Sequence, residues 1–316
     1  MINEISKFLP YQFKTEHELI QSIQELSQGF IERRLKGEGY FENPRLLSAY
    51  TLFYFTTNFH KITHAMEMAG LTDLSEFDQI VDIGTGPGSS LFPLREKFVG
   101  KLVGVDISQS VLKTARLLAE HFEAGAVEFY HHQDLPAPSG HVLLIFSHSF
   151  NEMGKKAAQK YLDHFRPKAI FFMEPGTKDV FKKLTDFRPS LIDEGFYFHY
   201  PCPKSLKTCP VANKDDWCHQ YLELSHHPEV ERLCQKVKLN RRLLPQTLWY
   251  LRKDEKTRSE NYLFRTFGAQ KFGVKTQWCE LEGEGLIITE KTLLKKEYSK
   301  SDFKKIKQLK AGQKLS

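Results

Sequence analysis

Cysteine is scarce, with five residues in a chain of 316. So few thiols, and an odd number of them, exclude a disulfide scaffold and fit secretion poorly. Long apolar runs are missing too. No stretch approaches the roughly 18 uninterrupted apolar residues that a membrane helix needs, so no membrane partner is expected. The opening segment contains no Arg and includes Glu4, Glu16 and Glu18, unlike a secretory or organelle leader. Internal repeats are absent, and low complexity is confined to a Lys-rich end. The expectation is a cytoplasmic protein of bacterial type.

What is present is ordinary for a globular chain: 41% apolar and 27% charged residues, which excludes wholesale disorder. The length suggests about two domains. The formal charge of +6 becomes informative once located. Nine Lys between Lys291 and Ser316 face only Glu297 and Asp302, a local +7 that leaves the preceding residues at −1. A near-neutral body with a basic end suggests an arm that meets a polyanion. Lys295, Lys296, Lys304, Lys305 and Lys307 are the candidate contacts to RNA.

Residues 1–75 carry helical periodicity. Leu19, Ile20, Ile23, Leu26, Phe30 and Ile31 predict a helix over Glu16 to Arg34, and Pro44 to Met68 predicts a second, stopped by Gly70. Short β-type runs then alternate with helical stretches: Gln79–Ile83, Leu102–Ile107, Val127–His131, Val142–Ser147 and Ala169–Met173. That alternation predicts an α/β fold with a doubly wound parallel sheet over 76–200. Residues 201–290 form a cysteine-bearing section with a returning strand at Thr247–Arg252. A hairpin is expected over Lys271–Glu290, turning near Glu282-Gly283-Glu284-Gly285. Residues 291–316 are the basic tail.

The run Asp82-Ile83-Gly84-Thr85-Gly86-Pro87-Gly88 falls where the first strand hands over to a helix. Glycines there let the backbone turn tightly and approach a ligand that side chains would exclude. Asp106 ends the next strand, where a doubly wound fold places the carboxylate that grips ribose hydroxyls. The tight spacing departs from dinucleotide loops and resembles motif I of class I S-adenosylmethionine-dependent methyltransferases. That resemblance implies cofactor contacts from Asp82, Gly84, Gly86, Gly88, Asp106, Gln133, Asp134 and Ser147. After the fourth strand the chain reads Ser147-His148-Ser149-Phe150-Asn151-Glu152. It lacks the Asn/Asp-Pro-Pro-Tyr/Phe run of amino-methylating enzymes, and no Cys nucleophile lies before position 202. His148 and Glu152 are the weak candidates for a catalytic base; a hydrogen-bonded structural role is the competing account of His148.

Cys202, Cys209 and Cys218 follow C-x6-C-x8-C spacing in a Pro-rich polar stretch, with Cys279 further on. Thiols clustered this way in a reducing compartment suggest metal ligands. Zinc sites use tighter knuckles and cluster spacings vary widely, so spacing leaves iron–sulfur and zinc both open. His199 and His219 are possible substitute ligands, and Cys234 is expected to be a spectator in a helix.

Taken in order, the glycine loop, Ser147-His148-x-x-Asn151-Glu152, Glu174-Pro175-Gly176-Thr177, Pro201-Cys202-Pro203, Cys209-Pro210 and Trp217-Cys218-His219 carry a family resemblance. The series resembles the methyltransferase-like proteins of the mitochondrial small ribosomal subunit and their bacterial relatives, over residues 45–290. The resemblance implies a [4Fe–4S] cluster on Cys202, Cys209, Cys218 and Cys279. It also implies a role in small-subunit assembly or translation, with ribosomal RNA as partner. The alternative is an active methyltransferase of ribosomal RNA or a ribosomal protein.

Overall fold

The computed structural model describes residues 2–32, 37–122, 127–254 and 261–312. Lys314 and the end of the helix expected to reach Arg34 lie outside these residues. In chain order the helices are α1 (Ile2–Ser6), α2 (Glu16–Ile31), α3 (Pro44–Tyr50), α4 (Thr56–Asn58) and α5 (Lys61–Met68). They continue with α6 (Gln109–His121), α7 (Phe150–Phe165), α8 (Lys178–Asp193), α9 (Pro228–Val237) and α10 (Lys300–Ile306). The strands are β1 (Gln79–Ile83), β2 (Lys101–Asp106), β3 (Val127–His131), β4 (Val142–Ser147), β5 (Ala169–Pro175) and β6 (Tyr197–Tyr200). After these come β7 (Gln220–Glu223), β8 (Leu243–Arg252), β9 (Tyr262–Ala269), β10 (Gly273–Glu282) and β11 (Gly285–Leu294).

The chain forms two compact units from interleaved segments. One comprises Met1–Met66, Thr72–Pro167 and Leu222–Leu244; the other Glu67–Leu71, Lys168–Tyr221 and Pro245–Ser316.

In the first unit β3, β2, β1 and β4 lie side by side in that order, and each adjacent pair is parallel. All five residues of β1 are buried, as expected of a central strand covered on both faces. From β1 the chain steps outward to β2 and β3, then returns to lay β4 on the other side of β1. That reversal opens a crevice beyond the carboxyl ends of β1 and β4. Helix starts are set locally. Thr15 accepts from the Glu18 N–H, Asn43 caps α3 ahead of Pro44, and Ser108 accepts from the Val111 N–H. Such a cap is worth about 1 kcal/mol.

The helix expected over Pro44–Met68 is instead broken into α3, a π-helical turn at Thr51–Phe55, α4 and α5. Thr51 and Thr56 hydroxyls donate back to the carbonyls of Leu47 and Leu52. This back-bonding competes with the regular ladder and bends helices. The break sits among buried Leu52, Phe53 and Phe55.

In the second unit β8 pairs antiparallel with both β5 and β6, and β7 also pairs with β8. A separate antiparallel sheet runs β11-β10-β9. The expected hairpin is there, with Glu282 opposite Gly285 and Gly283 at φ 57°. Residues expected to be a free basic arm form the end of β11 and helix α10. Phe303 and Ile306 of α10 pack with Val274 and Leu293 into a small core. The segment is pinned further where Thr266 Oγ1 donates to the Leu309 carbonyl at 3.1 Å and the Gly312 N–H to the Leu263 carbonyl at 3.1 Å. The apolar stripe of α10 therefore makes this segment part of the fold, leaving its lysines outward. Among the described residues no helix is long and apolar enough to cross a membrane.

Candidate functional site

Beyond β1, the N–H groups of Gly84 and Thr85 both donate to the Val105 carbonyl, at 2.8 and 3.0 Å. The loop then turns through Gly84, Gly86 and Gly88, at φ 72°, 55° and 92°. The three glycines have different reasons. A Cβ on Gly84 would stand 2.4 Å from the Ser149 Cβ, and one on Gly88 would stand 3.0 Å from the Phe92 ring. A Cβ on Gly86 would meet only the edge of Phe41, at 3.9 Å. Gly84 and Gly88 thus serve packing, whereas Gly86 presents open backbone.

Asp106 fixes that backbone. Its Oδ2 accepts from the Gly86 N–H at 2.9 Å and its Oδ1 from the Ser108 N–H at 3.0 Å. Asp82 is fully buried beneath the loop, and burial pushes its carboxyl up to about 8. The Thr85 hydroxyl opposes this shift and the Asp106 charge adds to it. Ser147 closes β4, whose Phe146 pairs with Ile83 at the mouth of the loop. Gln133 and Asp134 follow the Asp106–His131 pair of β2 and β3, and both are exposed.

Just after β4, His148 takes a left-handed conformation, φ 61°. Its Nε2 accepts from the ammonium of the buried Lys61. Burial, then Lys61 and Arg241, hold the imidazole well below its usual range. Arg241 Nη2 donates to Asn58 Oδ1 at 2.8 Å, and its guanidinium lies over the Tyr54 ring. The Glu152 charge contributes to raising the hydroxyls of Tyr40 and Tyr50, after burial.

Periodicity did not reveal the residues that frame the site from the N-terminal side. Glu42 accepts from the hydroxyls of Ser108 and Ser110, each at 3.0 Å. Tyr40, Phe41, Tyr50, Tyr54 and Phe30 form one aromatic cluster. The sequence signal was the density of Tyr and Phe between 40 and 55, which reads equally well as core.

In the second unit the cysteines come from separate segments. Cys202 follows β6, Cys209 lies in the next loop, Cys218 precedes β7 and Cys279 is in β10 opposite Tyr262 and Ile288. Cys218 and Cys279 are buried; Cys202 and Cys209 are half-buried. The four share one electrostatic neighbourhood. Burial and then Cys209, Cys202 and Cys279 push the Cys218 thiol well up. Burial, Cys202 and Cys209 do the same for Cys279. Among the described residues no three His, Cys, Asp or Glu side chains are placed to hold a metal ion as they stand. Cys234 belongs to α9 in the first unit, with its thiol pushed by burial to about 11. His199 Nε2–H donates to the Asp254 carbonyl at 3.0 Å. His219 stacks on Trp217.

The other motifs organise this centre. Trp217 Nε1–H donates to the Gly176 carbonyl at 3.2 Å. Gly176 passes so close to β8 that a Cβ would stand 2.7 Å from the Pro245 carbonyl carbon. Thr177 caps α8. That helix carries Arg188, buried on its inner face, whose Nη1 donates to Cys202 Sγ at 3.2 Å.

A family model described as mitochondrial small ribosomal subunit Rsm22 matches residues 45–315. The chain belongs to the Rsm22 family. That description names a mitochondrial subunit, where the sequence suggested a cytoplasmic bacterial protein. Protein-lysine N-methyltransferase EFM4 of Saccharomyces cerevisiae is 42% identical over 60 residues, which is 19% of this chain and 26% of the relative. The chain therefore spans about a quarter of that curated relative's length. Among solved structures, magnesium protoporphyrin IX methyltransferase of Synechocystis is similar with a TM-score of 0.40 and 15% identity, covering 72% of this chain and 95% of that one. A methyltransferase of Aquifex aeolicus gives a TM-score of 0.33 and 15% identity, covering 45% and 93%. The parallel strand order and the glycine loop place the first unit among Rossmann-like α/β folds, independently of these likenesses.

Proposed function

We propose that this Rsm22-family chain is an S-adenosylmethionine-binding, methyltransferase-like protein of the small ribosomal subunit, with a [4Fe–4S] cluster held by Cys202, Cys209, Cys218 and Cys279. The carrying observation is the Gly86–Asp106 bond. It pre-sets a backbone without a side chain beside a carboxylate, at the crevice where the strand order reverses. When bound, S-adenosylmethionine supplies an electrophilic methyl group. Gly86 gives its methionine part room, in a loop that Gly84 and Gly88 allow to pack tightly against Ser149 and Phe92, and Asp106 accepts from the ribose hydroxyls. Asp82 supports the loop from beneath, and Ser147, Gln133 and Asp134 would hold the rest of the cofactor.

The cluster assignment is supported by the donor set. The charges of Cys202 and Cys209 help raise the thiols of both Cys218 and Cys279, and Arg188 Nη1 donates to Cys202 Sγ beside them. Zinc on the same thiols is the alternative occupant, and iron, sulfide and zinc analysis distinguishes the two. Exposed Lys295, Lys296, Lys304, Lys305 and Lys307 supply charge toward ribosomal RNA. Co-sedimentation with purified small subunits tests the partner: the chain should travel with them and leave as salt rises. A chain that stays in the supernatant at low salt contradicts the assignment.

A second reading, an active methyltransferase of ribosomal RNA or a ribosomal protein, is favoured by Glu152 and the neutral His148 in the first unit. Methyl label moving from S-adenosylmethionine to small subunits, and lost in Glu152→Gln, supports that reading. Unlabelled subunits exclude it.

A further inference from the structure

Among the described residues Arg188 is the one buried cation beside the four thiols, and its hydrogen bonds have a direction. Nε donates to the Leu206 carbonyl, in the loop between Cys202 and Cys209, while Nη1 donates to Cys202 Sγ at 3.2 Å. The guanidinium lies over an aromatic pair, its Cζ 4.0 Å from the centroid of Phe198 and 5.8 Å from that of Trp249. Nη2 is buried without a partner, and among the described residues no carboxylate pairs with the side chain. A buried guanidinium without an anion is strongly unfavourable, and a buried donor without an acceptor adds to the cost. Both point to an anionic acceptor that belongs here.

We propose that Arg188 is the counter-charge and positioning residue of the cysteine centre: it pins the Cys202–Cys209 loop and presents Nη2 to the anionic metal–thiolate group held by the four cysteines. The proposal rests on the cluster assignment above. A cubane on four thiolates is net negative, and reduction adds one more negative charge. A fixed cation therefore stabilises the reduced form more than the oxidised one, and hydrogen bonds to the sulfurs act in the same direction. Arg serves better than Lys because its planar fork spans the loop carbonyl, the thiol and the remaining acceptor at once, stacked on aromatic faces.

The test compares anaerobically purified full-length wild type, Arg188→Met and Arg188→Lys. Iron and sulfide content, the midpoint of a redox titration followed by visible absorbance, and the rate of bleaching in air are measured. Arg188→Met keeps apolar bulk against Phe198 and Trp249 but removes the charge. It is expected to shift the midpoint to more negative potential and to bleach several-fold faster, with Arg188→Lys falling between it and wild type. An Arg188→Met protein with wild-type midpoint and bleaching overturns the proposal. If Arg188→Met takes up no iron, the Lys variant decides. Loading at wild-type stoichiometry supports the need for charge, whereas equal loss in both, with lowered melting temperature, makes Arg188 a packing residue and overturns it. Wild-type protein without iron or sulfide overturns the cluster assignment and this proposal together. That failure is distinct because it appears in the unsubstituted chain.

Discussion

The Gly86 N–H donates to Oδ2 of Asp106 at 2.9 Å, joining the glycine turn to the end of β2. Because Gly86 has φ 55° and little beside it, while Gly84 is packed against Ser149, the two glycines should fail differently. Gly84→Ala forces a Cβ into the Ser149 Cβ, and its cost should appear as lost stability, several degrees or more in thermal melts. Gly86→Ala pays left-handed strain of roughly 1–2 kcal/mol and puts a methyl where the ligand backbone approach is needed. Its larger effect should be on S-adenosylmethionine affinity. Equal affinity losses with equal melting shifts would contradict this division.

Asp82 gives the first unit a pH signature. Its folded carboxyl titrates near 8, well above its usual value, because burial disfavours the charge. Its contribution to stability is complete below about pH 4 and is lost as pH rises to 8, by up to about 1.4 kcal/mol per pH unit. Asp82→Asn cannot ionise, so the wild type should lose melting temperature relative to this variant between pH 5 and 8.5. A constant difference over that range would mean that Asp82 is ionised in the fold.

Ser replacement of Cys202, Cys209, Cys218 or Cys279 should each bleach anaerobically purified protein and loosen the second unit, since bound metal stabilises only the folded site. Cys234→Ser should retain colour. Full colour in Cys279→Ser would break the ligand set.

The lysines of the C-terminal segment can be tested without disturbing the fold. Truncation at 291 would remove part of β11 and the Phe303–Ile306 stripe, so substitution is the cleaner test. Lys304, Lys305 and Lys307 are exposed, and each phosphate contact contributes roughly 0.7–0.9 to the salt slope of RNA affinity. Replacing all three by Gln should flatten that slope by about two, similarly across RNA sequences. An unchanged slope would place RNA contact elsewhere.

Much of the first unit was legible because its strands are short, apolar and bounded by turn residues; Gln79–Ile83, Val127–His131 and Val142–Ser147 are strands over those same bounds. The glycine loop was legible because few other structures need that spacing after a buried strand. Glu42 was not, since its partners Ser108 and Ser110 are distant in sequence and an isolated acid carries no period. The C-terminal segment misled because its lysines dominate composition, while Phe303 and Ile306, three apart on one helix face, decide its packing. Arg188 left a trace: with Phe181, Leu184 and Leu191 it falls on the apolar stripe of α8, where a cation needs a buried partner.

A methyl-donor site built on Gly86 and Asp106 is measurable by calorimetric titration of S-adenosylmethionine into ligand-free protein, wild type against Asp106→Ala. The variant loses a charged acceptor for the ribose hydroxyls and the anchor of the Gly86 turn, and hydrogen bonds to charged groups are worth about 1.5–3 kcal/mol each. The wild type should bind saturably and one-to-one, and the variant at least about tenfold more weakly. No heat of binding in folded wild type at millimolar S-adenosylmethionine, or equal affinity in the two proteins, would contradict that site.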